Sequence, residues 1–157
     1  GIRSAGEGCQ GEIAAVDFKR PHLIDFPQFG DFSTGVLTLA ALQRDIPFAV
    51  RRVFWTCRTP TDVTRGRHAH YQTETVLVAA TGKIVVTTEL PDGEFEEFAL
   101  DSPGRGLYLP PLCWRTMRYT DSAVQVAFES HDYSEEDYIR SLDDFRAIED
   151  LSARERD

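Results

Sequence analysis

The sequence is short of the residues that most often carry cross-links or chemistry. Cysteine occurs three times in 157 residues, at Cys9, Cys57 and Cys113, with no Cys-x-x-Cys pair. That spacing argues against a disulfide framework and against a structural zinc site; an intracellular, cytoplasmic chain with incidental thiols is expected. Methionine occurs once and histidine four times. No apolar run approaches the ~20 residues that a membrane-spanning helix needs, and no basic-then-apolar leader opens the chain. Basic residues are also scarce: 17 Lys and Arg stand against 26 Asp and Glu, a formal net charge of −9. A nucleic-acid surface needs a clustered basic face and is not expected at this balance.

The acidity is uneven. Positions 132–157 hold ten acidic residues and four arginines, the pattern of a solvated helix face. Arg51, Arg52, Arg58, Arg65 and Arg67 fall within 51–67, so a small anionic ligand remains compatible with the acidic whole. With 41% hydrophobic and 27% charged residues the chain is ordinary for a soluble fold rather than a disordered one. Its length suits a single domain spanning 1–157 with one core. It begins at Gly1 rather than Met, and a chain excised from something longer is one expectation.

From residue 12 to about 133 the pattern is strand, turn, strand. The expected strands are 13–18, 35–42, 48–57, 74–80, 83–90, 95–100, 114–119 and 123–130, rich in Val, Thr, Phe and Tyr and often alternating polar with apolar. Pro91-Asp92-Gly93 and Thr81-Gly82 read as hairpin turns, and Pro110-Pro111 as a corner. After Ser134, a candidate N-cap followed by Glu135-Glu136-Asp137, the spacing predicts a helix over about 135–153, with Tyr138, Leu142, Phe145 and Ile148 as its packed stripe. Many short strands followed by one terminal helix predict an all-β sandwich or jelly roll.

Two of the four histidines lie in Arg65-Gly66-Arg67-His68-Ala69-His70. In a strand, residues i and i+2 share a face, so His68 and His70 present two imidazoles side by side. Glu74 shares that face if the strand continues unbulged. Such a patch can bind a metal, move protons, or sit exposed on a polar strand face. The Thr75-Val76-Leu77-Val78-Ala79 run that follows points to a buried strand, and interior imidazoles need a reason to be there.

The spacing of Gly66, His68-x-His70, Glu74 and Gly82 matches the first cupin motif. A second cupin motif would supply a histidine after the corner Gly106-Leu107-Tyr108-Leu109-Pro110-Pro111, where this chain has Trp114-Arg115-Thr116-Met117. A permanently protonated guanidinium cannot ligate a divalent metal, so a four-ligand site is absent. A His68/His70/Glu74 site, with His131 as a remote substitute, ranks below a metal-free reading.

Ile46-Pro47-Phe48, Arg52-Val53-Phe54, Arg65-Gly66-Arg67-His68-Ala69-His70, Val76-Leu77-Val78 and Gly82 occur in an order that resembles the dTDP-4-oxo-6-deoxyglucose 3,4-ketoisomerases (FdtA/QdtA/WxcM-like cupins). So do Leu100-Asp101-Ser102-Pro103, Gly106 to Pro111, and Asp132-Tyr133 with Asp137-Tyr138-Ile139-Arg140, Asp143 and Phe145. The likeness covers about residues 46–146. It implies a cupin jelly roll with a short C-terminal helix, no cofactor and no metal. It also implies a domain-swapped homodimer, a dTDP-linked keto-deoxysugar as substrate in deoxyamino-sugar biosynthesis, and in some members a fused N-acyltransferase. The chain departs from the family at Trp114-Arg115 (usually Trp-His), Phe54-Trp55 (usually Tyr-Tyr) and Thr34-Gly35 (usually Arg-Gly).

Histidine suits a base for moving the C3 proton: His70 is assigned as the carbon base and His68 as its partner, with the exchanged roles as the alternative. Arg65 or Arg115 would steady the enediolate, Arg52 or Arg65 would grip the diphosphate, and Glu74 would line the substrate site. Trp114 would stack on thymine or sugar unless it is a core residue, and Tyr108 and Tyr119 carry the same two readings. The competing readings are a dTDP-sugar 3,5-epimerase, which lacks the second histidine of the pair, a metal-dependent cupin oxygenase, and a sugar-nucleotide-binding cupin without turnover.

Overall fold

The computed structural model describes residues 19–155; the expected strand at 13–18 lies outside them. Twelve strands, a single 3-10 turn and one helix follow in order. β1 (His22–Asp25), β4 (Arg52–Cys57), β6 (Thr75–Thr81), β9 (Arg105–Leu109) and β11 (Val124–Glu129) form one sheet in the order β1-β9-β6-β11-β4. β5 (Arg65–His70), β7 (Ile84–Glu89), β8 (Phe95–Leu100), β10 (Trp114–Tyr119) and β12 (Tyr138–Ile139) form the second, in the order β12-β5-β10-β7-β8. β2 (Gln28–Asp31) and β3 (Gly35–Thr38) make a separate hairpin. Every ladder is antiparallel. Two packed sheets with crossing connections are the jelly roll expected from the strand pattern.

Period-two alternation divides the side chains among three layers. Between the sheets lie Leu77, Ala79, Ile84, Val86, Leu100, Leu107, Leu109, Met117 and Ala127. The intervening residues Val76 and Tyr108 point to the outer face of the first sheet, where they pack with Phe26, Ile46 and Phe48. On the outer face of the second sheet, Ala69, Trp114 and Ile139 are covered by Phe145 of α1 (Leu142–Glu155).

The expected helix begins seven residues late. Ser134 makes no side-chain cap, and Glu135–Asp137 form a single 3-10 turn. The chain then pairs Tyr138 with His70 and Ile139 with Ala69 as β12. The helix starts only after Ser141, whose hydroxyl accepts from the Asp144 amide at 3.2 Å. Tyr138 therefore belongs to a strand and not to the helical stripe, while Leu142, Phe145 and Ile148 do pack along it. Tertiary pairing has overridden a local capping signal. Among the described residues, no helix is long and apolar enough to cross a membrane.

Candidate functional site

The site is built where β5 meets β10. Gly66 has φ +84°, and a Cβ there would stand 2.8 Å from the Arg115 carbonyl oxygen and 2.9 Å from Met117 Sδ. Only glycine fits. Arg67 is also left-handed, at φ 55°, and the β5–β10 register shifts between Arg115 and Thr116. This bulge sets His68 directly opposite Arg115. The pair His68 and His70 then shares one face, the rings 5.0 Å apart and edge-on.

Each imidazole is fixed by its Nδ1. His68 Nδ1 lies 3.1 Å from the Gly66 carbonyl oxygen, and His70 Nδ1 lies 3.1 Å from Asp137 Oδ2. Both partners are acceptors, so both Nδ1 atoms carry the hydrogen and both Nε2 atoms keep a lone pair. His70 is fully buried, and its Nε2 has no partner. Tyr138 closes over the pair, with ring centroids 4.4 Å from His70 and 5.0 Å from His68.

Three guanidiniums surround these rings. Arg115 is 2% exposed, donates from Nε to the Cys113 carbonyl and from Nη1 to Thr75 Oγ1, and leaves Nη2 unpaired. Thr75 Oγ1 in turn donates to Glu129 Oε2 at 2.9 Å, and Arg52 Nη2 stands 3.8 Å from the same oxygen with its own Nε unpaired. Arg52 also lies over the Tyr133 ring, and Arg140 over the Tyr138 ring at 4.2 Å. Burial first, and the Arg115 charge second, push His68 down to about 3 and His70 to about 2, with Arg140 and Arg52 adding to the effect. Burial likewise raises the Glu129 carboxyl. The ligand-free site thus holds two neutral imidazoles in a positive field, with two unpaired guanidinium nitrogens and one unpaired ring nitrogen. Buried polar atoms without partners are rare in folded proteins, and three in one place suit a polar, anionic ligand.

The residues singled out from sequence separate into two groups. His68, His70, Arg52 and Arg115 converge. Glu74 does not join them: β5 ends at His70, a turn intervenes, and Glu74 accepts from the Tyr108 hydroxyl at 2.7 Å on the outer side of the first sheet. Tyr108 is buried there with Phe48 and Val76. Trp114 and Arg115 are adjacent on β10 and must face opposite ways; Arg115 turns inward and Trp114 packs 5.8 Å from Phe145 under the helix. Arg65 is exposed at the start of β5, and its charge acts on Tyr119 rather than on the histidines. Tyr119 is buried between the sheets, donating to Gln125. With Glu74 elsewhere, the three-ligand metal set is not assembled; among the described residues no three His, Cys, Asp or Glu side chains group to hold a metal ion.

Sequence reasoning missed Thr75, Glu129, Asp137, Tyr138 and Arg140 as site residues. The signal for three of them was present in Asp137-Tyr138-Ile139-Arg140, but their acidic start resembled a helix N-terminus.

Residues 19–150 match the family described as FdtA: WxcM-like, C-terminal. The chain belongs to that family. This FdtA-family protein is 37% identical over 126 residues to the TDP-4-oxo-6-deoxy-alpha-D-glucose-3,4-oxoisomerase of Aneurinibacillus thermoaerophilus, covering 79% of this chain and 88% of the relative. It superposes on the crystal structure of QdtA, a sugar 3,4-ketoisomerase from Thermoanaerobacterium thermosaccharolyticum in complex with TDP. The TM-score is 0.79 at 34% identity, over 84% of this chain and 96% of that one. The dTDP-4-dehydrorhamnose 3,5-epimerase of Sulfolobus tokodaii is more distant, with a TM-score of 0.66 at 16% identity over 75% of this chain and 74% of the other; it shares the fold alone.

Proposed function

We propose that this FdtA-family protein interconverts a dTDP-linked 4-keto-6-deoxyhexose and its 3-keto isomer. The observation that carries the reading is the pair of neutral imidazoles, each presenting Nε2 as a base, beside guanidiniums with unpaired N–H groups. A 3,5-epimerase must exchange protons at C3 and at C5; a ketoisomerase needs one proton moved between neighbouring carbons and one between neighbouring oxygens. Two bases 5.0 Å apart suit the second task.

In this reading His70 Nε2 removes the C3 proton. The C3–H electron pair forms the C3=C4 double bond of an enediolate, and the C4=O4 electron pair moves onto O4. His68 takes the O3 proton and returns it to O4; C3=O3 then forms and C4 receives a proton from the His70 imidazolium. In the same reading Arg115 Nη2, which has no partner in the protein, donates to the enediolate oxygen, and Arg52 holds the diphosphate. Two phosphates entering the site offset the guanidinium charges that hold the imidazole pKa values down, so substrate itself makes the histidines better bases.

The same reading carries a homodimer in the cytoplasm. The β2–β3 hairpin stands apart from both sheets with Phe29, Phe32, Val36 and Leu37 exposed, and the outer face of β4 exposes Val53 and Trp55. A second copy of this chain is the occupant that would cover them; sedimentation equilibrium with Trp55→Asp against the unaltered protein tests it.

The activity reading is tested with His68→Asn and His70→Asn. Each is expected to lower kcat by about 100-fold or more while TDP affinity stays within a few-fold. Undiminished turnover in either variant contradicts the assignment of that residue.

A further inference from the structure

Between the sheets, one carboxylate faces the two guanidiniums that an anionic ligand would meet. Glu129 shares the inward parity of Ala127 on β11 and is 3% exposed. β11 lies between β4 and β6, and the register sets Glu129 opposite Arg52 on one side and Thr75 on the other. Its Oε2 accepts from Thr75 Oγ1 at 2.9 Å and stands 3.8 Å from Arg52 Nη2. Thr75 Oγ1 in turn accepts from Arg115 Nη1 at 3.4 Å. One carboxylate oxygen therefore serves both arginines, Arg52 directly and Arg115 through a hydroxyl.

These contacts are loose. On the surface, Arg146 grips Glu89 with two bonds of 3.0 and 2.9 Å, the usual fork of an arginine on a carboxylate. The Arg52–Glu129 contact exceeds hydrogen-bond length, and Arg52 Nε and Arg115 Nη2 are left over. Burial raises the Glu129 carboxyl in spite of the pull of both arginines, so neither cation is fully committed to it. Yet buried guanidiniums need an opposite charge close by, and among the described residues Glu129 is the one carboxylate within ion-pair distance of Arg52.

We propose that Glu129 stands in for the negative charge of the ligand: it balances Arg52 and Arg115 in the free protein and competes with the bound anion for the same two cations. The phosphates and the enediolate oxygen that the ketoisomerase reading brings to these arginines must then displace the attraction of a carboxylate already beside them. Glu129 thereby sets how tightly the site holds its anion, and it weakens the grip on substrate and product alike. The inference deepens the ketoisomerase reading and rests on it for the identity of the ligand, but its test measures binding and not turnover.

Isothermal titration calorimetry of TDP into the full chain compares the unaltered protein with Glu129→Gln, whose amide keeps the shape and an acceptor for Thr75 while removing the charge. The variant is expected to hold TDP about 5- to 50-fold more tightly, as loss of one like charge near a diphosphate gives at an effective dielectric of about 20. Affinity that is unchanged or weaker overturns the proposal, since a carboxylate that merely held the arginines in place would weaken binding when removed. Glu129→Asp keeps the charge and is expected to stay within about threefold of the unaltered protein; tightening equal to that of Glu129→Gln overturns the proposal too. In protein labelled with 13C at the glutamate Cδ, with the Glu129 resonance assigned from Glu129→Asp, TDP is expected to shift that resonance. A Glu129 resonance that TDP leaves in place overturns the proposal even where Glu129→Gln does not fold. Absence of TDP binding to the unaltered protein would sink the sugar-nucleotide reading, and inorganic pyrophosphate would then carry the same comparison; failure of that anion to bind as well would overturn both.

Discussion

Replacing Arg115 by methionine should raise the pKa of both site histidines. The guanidinium is almost fully buried, its stem is unbranched, and Arg115→Met removes the charge while keeping most of the volume. Arg115 and His68 are partners across the β5–β10 ladder, where facing Cβ atoms lie about 5 Å apart. At an effective dielectric of about 20, one charge at that distance contributes about 3 kcal/mol, or about two pH units. Burial is the larger cause of the depression, and Arg52 and Arg140 remain. The pKa values should therefore climb by about one to two pH units and still lie below the ordinary histidine value. Titrating the ring Cε1 resonances of ligand-free protein, with and without the substitution, reads this directly. Values unmoved by Arg115→Met would refute the claim that this arginine sets the site's field, and with it the reason substrate phosphates should activate the bases.

Other consequences follow from the same contacts. Because His68 and His70 sit near 3 and 2 when folded but titrate near 6.5 when unfolded, the unfolded chain binds more protons between those values. Thermal stability should hold above pH 6.5 and fall steadily as pH drops toward 3; His70→Asn should flatten that slope, and an unchanged slope would count against the burial of a neutral ring. Trp114→Ala, which empties the space under Phe145, should cost about 3–5 kcal/mol in urea unfolding without raising the KM of surviving native protein. Tyr108→Phe leaves the Glu74 carboxylate short of a donor and should cost about 1–3 kcal/mol with kcat preserved; a large kcat loss would place the pair in the chemistry after all.

Where a segment's structure follows from its own composition, the sequence was readable. β8 and β10 fall at 95–100 and 114–119 as expected, because turns and alternation bound them on both sides. β1, β2 and β9 were not foreseen. Five residues between Pro21 and Pro27, or a Gly106 beside the Pro110-Pro111 corner, show too little period to outweigh those breakers. The histidine pair was legible for the opposite reason: i and i+2 on one strand meet whatever the rest of the fold does. Glu74 was misplaced because the same-face argument holds only while the strand continues, and β5 stops at His70. Asp137 was masked by an acidic run that resembles a helix start, and its role depends on β12 pairing with β5, which brings it to His70. Trp114 and Arg115 show the middle case. Alternation fixes that they face opposite ways, and only the position of α1 decides which one is inside.

Proton NMR of dTDP-4-keto-6-deoxyglucose mixed with the protein in D2O, with EDTA present, tests the central claim most directly. The account predicts conversion to a 3-keto sugar whose C4 bears the hydrogen carried over from C3 by one imidazole, at a rate indifferent to the chelator, and the same spectrum gives the configuration at C4. Exchange at C3 and C5 without a 3-keto product, or an unchanged sugar showing only line broadening, would contradict it.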